Sequence, residues 1–442
     1  MNSMCRRHLT SFQIIIFGFS GTILLGALLL TLPFATAGNQ SAGFWDALFT
    51  ATSAVCVTGL VIHDTATYWS SFGQLIIMLL IQIGGLGVVT VAAAVTMISG
   101  RKIGLMQRST MQTAISASKV GGIVRLTGFI LKTTFLIEFL GTVIMAPVFC
   151  RDFGLPQGLW MSLFHSVSAF CNAGFDLMGI QAPFSSLTAY GAQPVINITI
   201  MLLIIIGGIS FLTWDDIRAN GIRFRRYSLQ SKIILTTTLI LILAPAAYYY
   251  FFEFAQSPLP ERILYSFFQS VTPRTAGFNT VDLTAMGGIG QTLMILLMLI
   301  GGSPGSTAGG MKTTTLAVVL FSAFSVFRQK DGTECFGRRI SEGIVRNAAA
   351  IFLMYIGLFL LGGLVISGVE GLPLMDCFFE TASAIGTVGL SLGITPDLGA
   401  VSRTVLILLM FFGRVGGLTL IFAAVSGKPP ASKLPHEKIT VG

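Results

Sequence analysis

Eight stretches, at about 12–33, 72–97, 124–149, 193–213, 231–252, 288–325, 346–368 and 401–425, are apolar over roughly the 20 residues that a helix needs to cross a bilayer core. A chain built this way folds in lipid. Its charge content agrees: 10% of 442 residues are charged and 53% are hydrophobic, whereas a soluble domain carries about 25% charged residues. Four shorter apolar segments, near 44–56, 158–170, 262–272 and 374–385, cannot cross and predict re-entrant half-helices. Arg6 and Arg7 precede the first apolar run, which extends well past a signal-peptide core and so reads as a retained span.

The net charge of +9 could point to nucleic acid, but its placement argues otherwise. Arg101, Lys102, Arg108, Lys119 and Arg125 follow the second span, and Arg218, Arg223, Arg225 and Arg226 follow the fourth. Arg328, Lys330, Arg338, Arg339 and Arg346 precede the seventh, and Lys428, Lys433 and Lys438 end the chain. By the positive-inside rule these loops and both termini are cytoplasmic in a multi-pass membrane protein surrounded by lipid, with no nucleic-acid partner. The opposite side is acidic: Asp46, Asp64, Asp152, Asp176, Glu253, Glu261, Asp282, Glu370, Asp376, Glu380 and Asp397. Such a face either concentrates cations or reports topology alone.

Catalytic chemistry is not indicated. The six cysteines lack a C-x-x-C pair, the four histidines are scattered, and no G-x-S-x-G or H-E-x-x-H pattern occurs, so no enzyme activity and no covalently bound cofactor are expected.

An internal repeat is the strongest signal. Leu48-Phe49-Thr50-Ala51-Thr52-Ser53-Ala54-Val55-Cys56-Val57-Thr58-Gly59 aligns without a gap on 163–174, and its part from Phe49 aligns again on 379–389 and, with one deletion, on 268–277. A second landmark follows each copy: Gly84-Gly85, Gly207-Gly208, Gly301-Gly302 and Gly413-Arg414. Each repeat is thus span, half-helix, glycine loop, span, and two spans return the chain to the same side. The fold class expected is an all-α polytopic membrane protein. Four parallel repeats (1–97, 98–213, 214–325 and 326–426, then a cytoplasmic tail at 427–442) surround one central, potassium-channel-like pore.

Non-helical backbone at membrane depth is tolerated only where protein buries it or water lines it. A ring of four loops can turn carbonyl oxygens toward the axis, and these are hard ligands for a dehydrated monovalent cation. Glycine supplies the positive φ that this requires, and the half-helices aim their negative C-terminal ends inward. The candidate filter residues are Val57, Thr58 and Gly59; Asn172, Ala173 and Gly174; Thr275, Ala276 and Gly277; and Thr387, Val388 and Gly389, with K+ bound there only. The competing explanation is small-residue helix packing.

The sixth apolar stretch is too long for one crossing, and its middle reads Gly301-Gly302-Ser303-Pro304-Gly305-Ser306-Thr307-Ala308-Gly309-Gly310. Such a segment breaks a helix and belongs in a wet cavity. Landmark spacing places it one span depth below the filter, level with Arg414, and an intramembrane arginine marks function by default. The loop is expected to obstruct the pore, with Arg414 as electrostatic barrier and loop contact, or else as a bond to helix-end carbonyls. Lys312 either joins the barrier or snorkels to the cytoplasm. The Gly305–Lys312 run falls short of a phosphate-binding loop, lacking lysine directly after glycine and a preceding strand. Glu138 is a coupling-ion or proton site or pairs with Lys132 or a backbone group. Arg274 braces its loop against Glu380 or Asp282 rather than touching the ion. Cys56 and Cys171 occupy equivalent positions in two repeats only, which favours packing over copper binding.

These motifs, with Thr272-Pro273-Arg274-Thr275-Ala276-Gly277-Phe278-Asn279 and Phe412-Gly413-Arg414, resemble the Trk/Ktr/HKT superfamily of potassium transporters over nearly the whole chain, and most closely the bacterial KtrB type. The resemblance implies K+ uptake gated by an intramembrane loop. It also implies a homodimer of two separate pores, in which the end of the chain contributes contacts, and a cytosolic, nucleotide-binding regulatory ring of KtrA type. Na+ enters as a possible coupling or activating ion. Because the first filter position is Gly59 rather than serine, potassium is implied over the alternative, a sodium or non-selective monovalent cation pathway.

Overall fold

The computed structural model describes residues 10–99, 103–115, 122–417 and 419. The helices run in chain order as α1 (Ser11–Leu30), α2 (Phe44–Val55), α3 (Ser71–Leu86), α4 (Val88–Ile98), α5 (Leu105–Ile115), α6 (Ile123–Phe153), α7 (Leu155–Phe170) and α8 (Pro194–Gly208). They continue as α9 (Phe211–Asn220), α10 (Leu229–Tyr248), α11 (Leu259–Val271), α12 (Gly288–Leu299), α13 (Thr313–Phe327), α14 (Glu342–Glu370), α15 (Leu374–Gly386) and α16 (Ala400–Val415). One antiparallel hairpin, β1 (Glu334–Cys335) with β2 (Arg338–Arg339), interrupts the helical pattern between α13 and α14. The tail at 427–442, the N-terminal arginines and Arg101, Lys102 and Lys119 lie outside the described residues.

The molecule is polytopic and turned inside out relative to a soluble protein. Phe135, Leu136, Phe139, Leu140, Val143 and Ile144 of α6 and Leu24, Leu25 and Leu28 of α1 are exposed. Lipid tails accept them without cost, since hydrocarbon is as apolar as leucine. The short segments form the interior instead. In α2 every residue from Phe49 to Val55 is buried, including Thr50, Thr52 and Ser53, and Thr52 Oγ1 donates to the Leu48 carbonyl at 2.7 Å. Back-bonding of this kind lets a hydroxyl sit in a dry core without an unmatched proton.

Eight straight spans are not what forms. Among the described residues, only α1, α6, α14 and α10, with its π-helical continuation to Glu253, are long and apolar enough to cross unbroken. The stretch 72–97 turns by 96° between α3 and α4, and 193–213 turns by 95° between α8 and α9. In the eighth stretch α16 stops at Val415, before Gly416. The physical cause lies just past the landmark. Gly87 and Gly416, each three residues beyond a landmark glycine, have φ of +85° and +87°, a conformation that side-chain-bearing residues avoid. Ser210 takes the same place in the second repeat and caps α9 through the Leu212 amide.

The landmark itself is a contact. A Cβ on Gly84 would overlap the Val55 carbonyl, one on Gly207 the Phe170 carbonyl, and one on Gly413 the Ile385 carbonyl. Each glycine therefore admits a second span against the C-terminal turn of its own half-helix, a backbone approach that any side chain would prevent. The landmarks thus lie directly beneath the glycine loops, closer than the span depth expected from spacing.

Candidate functional site

Each half-helix ends in a loop of alternating backbone hand. Val57, Asn172, Thr275 and Thr387 have φ of +53°, +56°, +68° and +51°, and two residues on Gly59, Gly174, Gly277 and Gly389 have φ of +91°, +69°, +84° and +94°. The residues between them, Thr58, Ala173, Ala276 and Val388, stay on the negative side. The sequence located the glycines; the left-handed residues before them, which are not glycine, it did not.

Three of the loops are tied down alike. The amides of Thr58, Ala173 and Val388 donate to the carbonyls of Ser53, Ser168 and Ser383, each at 2.8 Å. The third, one residue shorter, uses Ala276 to Thr272 at 3.0 Å. In the first and last, the glycine amide also donates to a serine hydroxyl, Gly59 to Ser53 at 3.1 Å and Gly389 to Ser383 at 2.9 Å.

The four loops close into a ring. A Cβ placed on Gly59 would lie 2.5 Å from the Ala173 carbonyl oxygen, and one on Gly174 would lie 2.7 Å from that of Ala276. One on Gly277 would overlap the Val388 carbonyl, and one on Gly389 the Thr58 carbonyl. Every glycine thus faces the carbonyl of the next loop, and the fourth returns to the first. The hydroxyls of Thr58 and Thr387 are buried with no partner among the described residues.

Outside the ring is a cavity of about 180 Å³, lined by the four glycines and by Asp64, Asp176, Ser186 and Asn279. Of the outer acidic residues, Asp64 and Asp176 reach it, whereas others hold the scaffold. Glu253 accepts from the Gly287 amide at 2.7 Å and Glu370 from the Gly399 amide at 2.9 Å. In both cases an acid near the end of a first span caps the second span of its repeat. Asp46 pairs with His63 at 3.0 Å and with Arg403 at 3.1 Å.

Inside the ring, residues 300–312 form an irregular segment between α12 and α13. It bonds to two distant stretches of the chain, 207–208 and 413–414. The Ser303 and Thr307 amides donate to Gly208 and Gly207 at 3.1 and 3.2 Å, and the Gly310 amide donates to Gly413 at 3.0 Å. Gly309 abuts the Thr387 side chain so closely that a Cβ there would overlap Oγ1. Arg414 donates to the carbonyl of Thr307 and to those of Gly84 and Gly85, the last at 3.1 Å. The side chain thus bonds both to the loop and to helix-end carbonyls, the two kinds of contact weighed for it. Lys312 Nζ turns back to the Ala308 and Gly309 carbonyls at 2.8 and 3.1 Å instead of reaching for the cytoplasm. Beneath lies a cavity of about 310 Å³, bordered by Pro304, Lys312, Tyr355 and Arg414 and by Ile115 of α5.

Two expected pairings are corrected. Glu138 accepts from Gln82 Nε2 at 3.0 Å, not from Lys132. Gln82 lies two residues before the landmark on α3, and a glutamine inside an apolar span was the signal available. Arg274 meets neither Glu380 nor Asp282. Its guanidinium donates to Thr238 Oγ1 of α10 at 3.3 Å, while Glu380 holds Ser391, the Leu392 amide and Thr395, and Asp282 binds Thr284. Cys56 and Cys171 are buried and free, and the described residues contain no cluster able to hold a metal.

The fold is that of a mostly helical, polytopic membrane protein, and its sequence falls in the cation-transport class. The sequence profile of the TrkH family, described as a cation transport protein, matches residues 4–433, and the chain belongs to that Trk/Ktr family. Among its relatives, the potassium/sodium uptake protein NtpJ of Enterococcus hirae is 39% identical across 100% of this chain and 99% of its own. The Ktr system potassium uptake protein B of Bacillus subtilis is 38% identical across 97% and 96%. The crystal structure of the potassium transporter TrkH from Vibrio parahaemolyticus superposes with a TM-score of 0.75 at 18% identity, covering 96% of this chain and 87% of that one.

Proposed function

We propose that the chain is the membrane-spanning subunit of a K+ uptake system, with four repeats around one pore, a carbonyl filter and a gate on its cytoplasmic side. The observation that carries the proposal is the closed circuit in which each glycine faces the carbonyl before the next glycine. Eight residues with positive φ in four equivalent pairs have no use in packing helices, and each non-glycine among them costs about 1 kcal/mol or more. Four carbonyl dipoles in a ring reject anions and can replace the hydration shell of a monovalent cation. The buried Thr58 and Thr387 hydroxyls add ligands at the inner side. Asp64 and Asp176 raise cation concentration at the outer mouth, and the ends of four half-helices add negative potential.

The segment 301–310 is the gate in this reading. It lies under Thr387 and is held by Arg414, whose positive charge stands on the ion's path. Potassium rather than sodium is assigned because Gly59 keeps the first loop free of a side chain. By extension from the relatives' Ktr assignment, the subunit works as a homodimer with a nucleotide-binding cytosolic ring that reaches the loop from below, where α5 and α9 border it. The repeats run 1–97, 98–213, 214–325 and 326–426, and the basic loops face the cytoplasm.

Uptake by K+-transport-deficient cells expressing the chain tests the proposal, with and without Na+ and with and without a KtrA-type partner. Growth at low K+ and 86Rb+ uptake that Na+ does not compete away are the results expected. Equal permeation of Li+, Na+ and Rb+ by folded protein would establish a non-selective pathway instead.

A further inference from the structure

The inner loop is joined to the ring by side chains as well as by proximity. Thr307 is fully buried, and its hydroxyl lies 2.8 Å from the Gly207 carbonyl, 3.0 Å from the Phe170 carbonyl and 3.2 Å from Asn172 Oδ1. Asn172, also fully buried, is the left-handed residue of the second filter loop. Its Nδ2 donates across the ring to the Arg274 carbonyl at 3.4 Å and to Thr275 Oγ1 at 3.3 Å. A backbone carbonyl only accepts, so the amide nitrogen must face Arg274 and the amide oxygen faces the Thr307 hydroxyl, whose single proton it shares with the Gly207 and Phe170 carbonyls. The order is therefore fixed: gate-loop hydroxyl, Asn172 amide, third filter loop. In the equivalent left-handed place the other loops carry Val57, Thr275 and Thr387, none of which reaches both ways.

We infer that Asn172 is a positioning residue that makes the filter's affinity for K+ depend on where the inner loop sits. With the loop seated, the Thr307 hydroxyl orients the amide, and the amide sets the spacing between the second and third filter loops. Displacement of the loop removes the hydroxyl, frees the amide and relaxes that spacing. Because such coupling is reciprocal, K+ in the filter favours the seated loop, and opening below weakens the hold above. A filter that loosens as its exit opens gives up its ion inward, which suits uptake. This inference rests on the reading of the loops as filter and gate.

The test is K+-dependent thermal stabilisation of the purified full-length protein, with choline replacing K+ at constant ionic strength. Thr307→Val, nearly isosteric, should raise the half-stabilising K+ concentration roughly five-fold, the worth of about one buried hydrogen bond. Thr307→Ser keeps the hydroxyl and should stay within about two-fold of the parent. Asn172→Gly retains the left-handed backbone without the amide. It should shift the midpoint as Thr307→Val does, with no further change when the two are combined, as expected for a single chain of contacts. An unshifted midpoint in Thr307→Val, an equal shift in Thr307→Ser, or multiplying effects in the double variant each overturn the inference. If Thr307→Val does not fold, Thr307→Ala against Thr307→Ser carries the same comparison. K+ that stabilises the parent no better than choline overturns the filter reading itself, a distinct result.

Discussion

Arg414 and Thr307, 107 positions apart, are joined by a bond from the guanidinium to the backbone carbonyl at the middle of the inner loop. The same guanidinium donates to Gly84 and Gly85 at the end of α3. One side chain thus staples a segment of the third repeat to the first from a base in the fourth. Five fixed donors suit arginine for this, where lysine carries a single point of attachment.

Arg414→Ala removes the staple and the charge together. Hydrogen bonds to a charged group contribute about 1.5–3 kcal/mol, so 86Rb+ flux should rise at least roughly tenfold in proteoliposomes. Arg414→Lys, keeping charge without the bridge, should fall between. Flux at or below the parent level in folded protein counts against a gating role.

Gly309→Ala adds a methyl where the Thr387 side chain already stands. The loop must shift away from the ring, so flux should increase several-fold while the ring is unaltered, an effect of steric overlap on a close contact. In the double variant Gly309→Ala with Thr387→Ala, where the overlapping hydroxyl is gone, flux should return toward the parent value.

Substitution in the ring should act in the opposite sense. Gly277→Ala places a Cβ on the Val388 carbonyl at a backbone φ of +84°. The combination of left-handed strain, about 1–2 kcal/mol, with a displaced carbonyl should abolish Rb+ uptake. Gly59→Ser should retain uptake and lower discrimination between K+ and Na+, measured as a ratio of fluxes.

Glu253→Gln and Glu370→Gln test whether outer acids serve transport or scaffold. Each caps the start of a second span, so each should lower thermal stability by about 1 kcal/mol and leave the K+ to Na+ flux ratio unchanged. A change in that ratio with stability intact points to a direct role in permeation.

Asp176, half-buried at the outer cavity, has its carboxyl pushed up to about 6 by burial and by neighbouring Asp64, against the opposing Met178 amide. Above that value it is charged and attracts cations; below it is neutral. Uptake at low K+ should therefore fall as external pH drops through about 6, and Asp176→Asn should remove that dependence while lowering the plateau.

Much of this architecture was legible in the chain. The half-helices and the filter glycines announce themselves because a repeated constraint, positive φ beside a neighbouring carbonyl, leaves glycine at Gly59, Gly174, Gly277 and Gly389. The 96° and 95° bends were not, because hydropathy continues smoothly across Gly87 and across Ile209 while the backbone turns. The landmark glycines were visible, but their purpose was not, since close approach to Val55, Phe170 and Ile385 is a relation between segments. Glu138 and Arg274 were misassigned for a related reason. Charge complementarity was the only pairing rule available, and a buried span satisfied them with the neutral Gln82 and Thr238.

The segment 301–310 belongs to one repeat of four. An aperture assembled from equivalent parts widens by degrees as each part withdraws, and can rest at intermediate widths. In the reading proposed above, a single flap covers the ring, held at Gly207, Gly208 and Gly413 and by Arg414. On that reading each subunit is expected to conduct all or none, and a controller needs to displace one short stretch of chain on one flank, not dilate the whole barrel.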